Sequence, residues 1–369
     1  MWNYYNPVDI IFGTNKFNEL SSILNNKKYV IVTHPEDIFK KYTGILVKSP
    51  NPPQMIMTEV QPNPDYGDIL LLIEKFSAVK EVDCIVAIGG GSVTDTAKAL
   101  AAFKDNKNLL TEFVRNKQVP KVDQPIDIIA IPTTSGTSSE LTCWATIWDK
   151  EMNNKLSLAH KDLHPKTAIV DPSIMLDKPK GLTISTGLDA LSHSMESIWN
   201  INANPISAMH GIAGARMILE NLPKLASDLQ NLELRTNVAM ACVHAGLAFS
   251  NTKTAISHNI SYPITLQHGI QHGIACSFSL PFVMRSMKGI NRVAEERLEK
   301  ILNNDLDKSS TMLLEELRNL EIPLNLNELK IAKQDWDIIV TDAFEGERGK
   351  NFLGNKKAFD KACEEMKVF

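Results

Sequence analysis

Cys84-Ile-Val-Ala-Ile-Gly-Gly-Gly-Ser-Val-Thr-Asp-Thr-Ala-Lys98 decides how the first half of the chain is read. An apolar run of strand length meets three glycines and a serine, and a helical pattern follows with Asp95 and Lys98 in its opening turns. Glycine lets the backbone turn tightly and come close to a ligand. The first turn of a helix offers N–H groups that no carbonyl has taken. The stretch therefore predicts a sheet strand that opens onto an anion site of the phosphate type. It has neither the GxGxxG spacing of an ordinary dinucleotide fold nor the GxxxxGK[ST] spacing of a Walker loop.

A second stretch repeats the pattern. Ile128-Ile-Ala-Ile-Pro-Thr-Thr-Ser-Gly-Thr-Ser-Ser-Glu140 runs a buried strand into hydroxyl-bearing residues, Thr133, Thr134 and Thr137 among them. Loops at the C-terminal edge of an α/β sheet are where such folds bind ligands, so the two loops together predict a cofactor-phosphate site. Around them, strand patterns at 8–12, 28–33 and 54–60 alternate with helical patterns at 15–24 and 65–76, which says α/β with a parallel sheet, and 167–172 reads as its last element. Pro172, Pro179 and Gly181 mark a connection, and the expected domains are 1–180 and 181–369. Beyond 180 the chain reads as helix at 185–199, 205–221, 234–250, 252–260, 272–286, 289–301, 308–318 and from Ala358 onward.

The helical half carries a second constellation. In Gly187-Leu-Asp-Ala-Leu-Ser-His-Ser-Met-Glu196, Asp189 and His193 are one helical turn apart on one face. Further on, Ile256-Ser-His-Asn-Ile-Ser-Tyr-Pro-Ile-Thr-Leu-Gln-His-Gly-Ile-Gln-His-Gly273 supplies His258 and His272. One carboxylate and three imidazoles suit Fe(II), Zn, Co or Ni and suit Mg or Ca poorly. Glu196, His210, His160, His164 and His244 are read as structural.

Composition excludes several classes. The 369 residues carry 39 basic and 43 acidic side chains, a net charge of −4, with no electrostatic footprint for nucleic acid. No apolar run approaches a membrane span and no secretory leader is recognised, so a cytoplasmic protein is expected. The five cysteines form no CxxC pair and are read as reduced thiols.

In order and spacing, the segments Gly89–Asp95 with Lys98, Thr133–Glu140, Gly187–His193 and His272-Gly273 resemble the successive signatures of the iron-containing (group III) alcohol dehydrogenase family. The resemblance covers nearly the whole chain. It implies an N-terminal dinucleotide-binding α/β domain, an all-helical metal-binding domain and a cleft between them. It also implies iron, with zinc as a substitute, held by Asp189, His193, His258 and His272. NADH or NADPH would lie against Gly89, Gly90, Gly91 and Ser92, beside Asp95 and Lys155, and along Thr133, Thr134, Thr137 and Thr142. A homodimer is expected.

This chain departs from the pattern at three positions. Ser138 replaces a common glycine. Tyr262 stands where many members have a histidine near the nicotinamide, which makes Tyr262, a water chain or the cofactor ribose the proton relay. His34 ends the second strand where NAD-preferring members often have aspartate, so repulsion of a 2′-phosphate is absent and NADPH is admitted. The segments 196–205 and 248–252 resemble the phosphonoacetaldehyde reductase (2-hydroxyethylphosphonate dehydrogenase) branch, for which Lys253 and Arg285 are the candidate anion-binding cations. The expected reaction is hydride transfer to a small aldehyde. Its rivals are a general short-chain alcohol or lactaldehyde dehydrogenase, a metal-dependent lyase using NAD transiently, and a non-catalytic metal-binding protein.

Overall fold

The computed structural model describes residues 1–104, 106–116, 122–152 and 154–369. Two compact units divide the chain. One comprises Pro7–Thr134 and Ser138–Met175, the other Met1–Asn6, Ser135–Thr137 and Leu176–Phe369. The main segment of the second unit thus begins at Leu176, five residues before the expected start at 181, and the unit includes the N-terminal segment as well.

The first unit is built on a six-stranded sheet of β1 (Asp9–Phe12), β2 (Tyr29–Thr33), β3 (Met55–Met57), β4 (Cys84–Gly89), β5 (Asp127–Pro132) and β8 (Thr167–Val170). The order is β1-β8-β5-β4-β2-β3 and all pairs are parallel. Every residue of β2 and β4 is buried, the mark of a parallel sheet covered on both faces. The helices are α1 (Leu20–Ile23), α2 (Asp37–Val47), α3 (Tyr66–Phe76), α4 (Gly91–Phe103) and α5 (Lys107–Asn116). Asp65 caps α3 by accepting from the Gly67 N–H at 3.1 Å. The helical pattern over 15–24 resolves into a 3₁₀ turn at Lys16–Glu19 followed by the short α1. An antiparallel hairpin, β6 (Trp144–Asp149) with β7 (Asn154–Ala159), is an element that the sequence reading did not place.

Register puts the two hydroxyl- and glycine-bearing loops side by side. Gly89 pairs with Pro132, and the Thr133 N–H donates to the Gly89 carbonyl at 3.0 Å. Ile88 pairs with Thr33, which places His34 at the same sheet edge. The loops are further tied by a buried polar knot. Lys98 Nζ donates to the Ser139 and Trp144 carbonyls at 2.7 and 2.8 Å and to Ser139 Oγ and Thr142 Oγ1 at 3.0 Å. Asp95 accepts from Ser139 Oγ at 2.6 Å and from the Thr146 N–H at 2.9 Å. Burial pushes the Lys98 ammonium down to about 8, with Asp95 working against that shift. A buried ammonium held by four oxygens is tolerable, and removing it would leave all four without their donor.

The second unit is helical: α6 (Lys180–Glu196), α7 (Pro205–Ser227), α8 (Leu232–Thr252), α9 (Ile256–His268), α10 (His272–Phe278), α11 (Leu280–Ser286), α12 (Arg292–Leu302), α13 (Leu306–Asn319), α14 (Leu326–Leu329), α15 (Lys333–Glu345) and α16 (Lys356–Glu365). Its core runs from Leu188, Leu191 and Trp199 through Ile256, Ile260 and Phe278 to Trp336 and Phe359. The predicted helix over 272–286 is two helices, because Pro281 cannot donate to the turn before it. Helix α9 begins later than predicted and runs on through Pro263. Helices α6 and α10 approach closely at Gly273, where a Cβ would stand 1.8 Å from the Ser185 carbonyl oxygen.

Candidate functional site

The organising atom is Asp189 Oδ1, which is buried and has no hydrogen-bond partner among the described residues. Three imidazole nitrogens face it: His258 Nε2 at 3.4 Å, His193 Nε2 at 3.7 Å and His272 Nε2 at 3.9 Å. His193 Nε2 and His258 Nε2 are themselves 3.1 Å apart. Ligands about 2.1 Å from a tetrahedral ion stand roughly 3.4 Å from one another. The spacing therefore fits one transition-metal ion, and a desolvated carboxylate oxygen without a donor is otherwise costly. Burial alone would raise the Asp189 carboxyl, but the three facing imidazoles hold it well below the usual range. Burial drives His193 down to about 4, and neutral imidazole is the form that ligates.

Each donor is fixed by its element. Asp189, His193 and Glu196 fall at i, i+4 and i+7 of α6, one continuous stripe. His193 stacks on Phe249 of α8, with centroids 3.9 Å apart and planes at 5°. His258 Nδ1 donates to Glu196 Oε2 at 2.5 Å, which turns its Nε2 lone pair toward Asp189. Glu196 Oε1 also accepts the Ser257 and His258 N–H groups, at 2.7 and 3.2 Å, in the first turn of α9. It thereby caps the helix that carries the histidine. Glu196 is an orienting group that the sequence reading took as structural, and its i+7 spacing from Asp189 was the available signal. Cys276, one turn after His272, was also missed. Asp189, His258, His272 and Cys276 each place a donor atom within 4.8 Å of the others. Cys276 Sγ lies 3.6 Å from His272 Nε2.

The cluster opens on one side only. The Asp189, His193 and His258 side chains are 4–7% exposed, whereas His272 is 38% exposed. Tyr262, one turn after His258, lies parallel to the His272 ring with centroids 5.9 Å apart. The Arg348 guanidinium stands over the other ring of that pair, 5.8 Å from the Tyr262 centroid.

At the sheet edge, Gly90 is the N-cap of α4 with no side-chain cap, which leaves the first-turn N–H groups of Gly91 and Ser92 for an anion. A Cβ on Gly89 would stand 2.4 Å from Val93 Cγ2, and one on Gly90 would press on Thr134 Oγ1 at 3.1 Å. Ser92 Oγ accepts the Asn63 N–H at 3.1 Å and keeps its own proton to donate. His34 Nδ1 meets the Val60 carbonyl at 2.9 Å, an arrangement in which Nδ1 donates and Nε2 carries the lone pair. Lys155 lies over the Trp148 ring at 5.4 Å in the hairpin. Thr142 and Asp95 are bound into the Lys98 knot. Thr137 groups with the helical unit, in which Gly136 packs on Thr186 so closely that a Cβ would be 2.6 Å from Thr186 Cβ. Ser138, in the place of the common glycine, is held at φ 48°, a left-handed conformation that glycine adopts without strain.

The two expected anion-binding cations fare differently. Lys253 is an exposed residue at the C-terminal end of α8. Arg285 is held in ion pairs: its Nε bonds Glu365 Oε2 at 3.0 Å and its guanidinium also pairs with Asp307 at 3.7 Å. The two carboxylates are shared with Lys361 and Lys288, so Arg285 is one member of a surface ion-pair network.

Family models match both halves, iron-containing alcohol dehydrogenase over residues 7–172 and the C-terminal domain of the Fe-containing alcohol dehydrogenase family over 183–362. The chain belongs to the iron-containing alcohol dehydrogenase family and is an oxidoreductase of that class. It is 31% identical to a NAD-dependent methanol dehydrogenase of Bacillus methanolicus, covering 94% of each chain. It is 32% identical to a phosphonoacetaldehyde reductase of Streptomyces viridochromogenes, over 64% of this chain and 60% of that protein. Among solved structures, sulfoacetaldehyde reductase from Bifidobacterium kashiwanohense in complex with NAD+ superposes with a TM-score of 0.91 at 26% identity, covering 99% of this chain and 98% of that one.

The close approach of α10 to α6 generates a test. Gly273→Ala must push His272 away from Asp189, and His272→Ala removes the donor without that strain. Metal analysis of folded protein is expected to show at least about a tenfold weaker hold on iron in both variants. Iron content equal to the unsubstituted protein in His272→Ala would remove His272 from the site.

Proposed function

We propose that this chain is an NAD(P)H-linked, metal-dependent reductase of small aldehydes bearing an anionic head, with phosphonoacetaldehyde to 2-hydroxyethylphosphonate as the leading reaction. The observation that carries the metal-dependent part is the undonated Asp189 Oδ1 ringed by three imidazole nitrogens. The anionic head is supported by two of the relatives, whose named substrates are both two-carbon aldehydes carrying a tetrahedral anion. The methanol dehydrogenase relative favours the second reading, a general short-chain alcohol dehydrogenase.

Asp189, His193, His258 and His272 would hold the metal, iron by family and zinc as a substitute. A divalent ion there supplies Lewis acidity toward a carbonyl oxygen. The cofactor supplies the hydride: NAD(P)H, aldehyde and a proton give NAD(P)+ and alcohol. The rest falls to side chains of this protein. Glu196 keeps His258 in the ligating tautomer, and the Phe249 face keeps the His193 ring from turning. Tyr262, beside the exposed edge of the cluster, is the phenol placed to pass the proton to the product oxygen. Gly90, Gly91 and Ser92 take the cofactor pyrophosphate on the N-terminus of α4, and His34 faces the adenosine ribose. A cytoplasmic homodimer acting on a small molecule completes the proposal, and no helix among the described residues is long and apolar enough to cross a membrane.

Two measurements test this reading. On iron-loaded enzyme, kcat/KM for phosphonoacetaldehyde and sulfoacetaldehyde is expected to exceed that for propanal and butanal by more than about tenfold. A smaller ratio, or a steady gain with chain length, would leave the general alcohol dehydrogenase. His34→Asp is expected to lower kcat/KM with NADPH selectively, by about tenfold or more, through repulsion of the 2′-phosphate. Unchanged NADPH use in that variant would show that His34 does not face the ribose.

A further inference from the structure

We infer that Arg348 is the residue that reads the anionic head of the substrate, an assignment that rests on the anionic-aldehyde reading above. Three observations within the helical unit lead to it.

The first is position. Among the candidate ligands His272 is the one with appreciable exposure, so within the described residues the cluster meets solvent at that ring. Tyr262 lies parallel to His272, and the Arg348 guanidinium lies over Tyr262. Arg348 is thus one ring removed from the open side of the cluster. An aldehyde whose oxygen lies at the cluster projects its head group, two carbons away, past the same edge.

The second is charge. Among the described residues, no carboxylate oxygen comes within 4 Å of Arg348, in contrast to Arg285 with its two partners. Arg348 meets the hydroxyl oxygen of Thr254, which accepts from one guanidinium nitrogen, and the Tyr262 π face. Neither cancels a positive charge. A guanidinium has five N–H donors in a planar fork, and most of these remain for a phosphonate or sulfonate, whose oxygens the fork matches.

The third is rigidity. Arg348 sits in the tight turn after α15, and that turn is clamped to the segment that carries Tyr262. Asn351 Nδ2 donates to the Thr254 carbonyl at 3.0 Å, and Asn259 Nδ2 donates to the Ala343 carbonyl at 2.7 Å. The clamp depends on two glycines. A Cβ on Gly349 would stand 2.0 Å from the Ala343 carbonyl oxygen, and one on Gly346 would stand 2.3 Å from Asn259 Nδ2. An arginine held only as a solvated surface group needs no such fixation. A cation fixed beforehand binds an anion without first losing its own freedom.

The alternative is that Arg348 merely braces the Tyr262 ring, and the experiment separates the two. Arg348→Gln and Arg348→Lys are compared with the unsubstituted enzyme in the ratio of kcat/KM for phosphonoacetaldehyde over butanal, with metal content and melting temperature as controls on folding. Arg348→Gln is expected to cut the ratio by about thirtyfold or more, mainly through KM for the phosphonate. Arg348→Lys, which keeps the charge but loses the fork, is expected to fall between. A bracing role would lower both substrates alike and leave the ratio unchanged, which overturns the inference; if Arg348→Gln does not fold, an unchanged ratio in Arg348→Lys overturns it equally. The failures are distinguishable. A ratio near one in the unsubstituted enzyme rejects the anionic-aldehyde reading itself. A high ratio that survives substitution rejects only Arg348.

Discussion

A carboxylate oxygen buried in a helical core without a hydrogen-bond donor is the constraint around which the second unit is arranged. Asp189 Oδ1 is buried on α6, yet no group among the described residues donates to it. In a low-dielectric interior an isolated ionised carboxylate costs several kcal/mol, so its neighbours must supply positive charge or hold a cation. The imidazole nitrogens at 3.4 to 3.9 Å are spaced to hold a cation, and burial drives His193 toward the neutral form that ligates. Much of the local backbone serves this geometry. Gly187 lets α6 pack on Leu222, where a Cβ would come within 2.7 Å, and Gly273 lets α10 settle on α6. Glu196 both caps α9 and aims His258, so the end of one helix and the start of another are fixed by one side chain.

The sheet edge is organised by the same physics with the signs exchanged. Lys98 is a cation in an apolar helix, and its four oxygen acceptors belong to the second loop and the segment that follows it. Its neighbour Asp95 is saturated by Ser139 and Thr146. The first loop can therefore present bare backbone N–H groups at Gly91 and Ser92, since the polar side chains around it are already occupied in holding the second loop.

Periodicity made much of this legible. Four-residue spacing puts Asp189 and His193 on one face, and apolar strands running into glycines or into hydroxyl-bearing residues mark the two loops. What stayed hidden was long-range. Nothing near Lys98 says that it will meet Ser139, Thr142 and Trp144, because those bonds span more than forty residues. Arg348 and Arg285 look alike in sequence, and only packing shows one over an aromatic ring and the other ion-paired with Glu365 and Asp307. Some misses had signals that went unused. Trp336, Ile339, Val340 and Ala343 mark the buried face of α15 at helical spacing. Ala145 and Ile147 alternate with half-buried residues in β6.

The central claim is that one transition metal is held by one carboxylate and three imidazoles, with His193 rather than Cys276 completing the set. His193 faces both Asp189 Oδ1 and His258 Nε2, whereas Cys276 Sγ sits against the ring of His272. X-ray absorption at the iron edge of the loaded protein reads the difference directly, because a thiolate sulfur lies about 0.2–0.3 Å farther from the metal than nitrogen or oxygen and scatters more strongly. The account predicts a first shell of nitrogen and oxygen only, with the outer-ring scattering of three imidazoles, unchanged in Cys276→Ser and reduced to two imidazoles in His193→Ala. A sulfur shell lost in Cys276→Ser, or an imidazole count that does not change in His193→Ala, would contradict it.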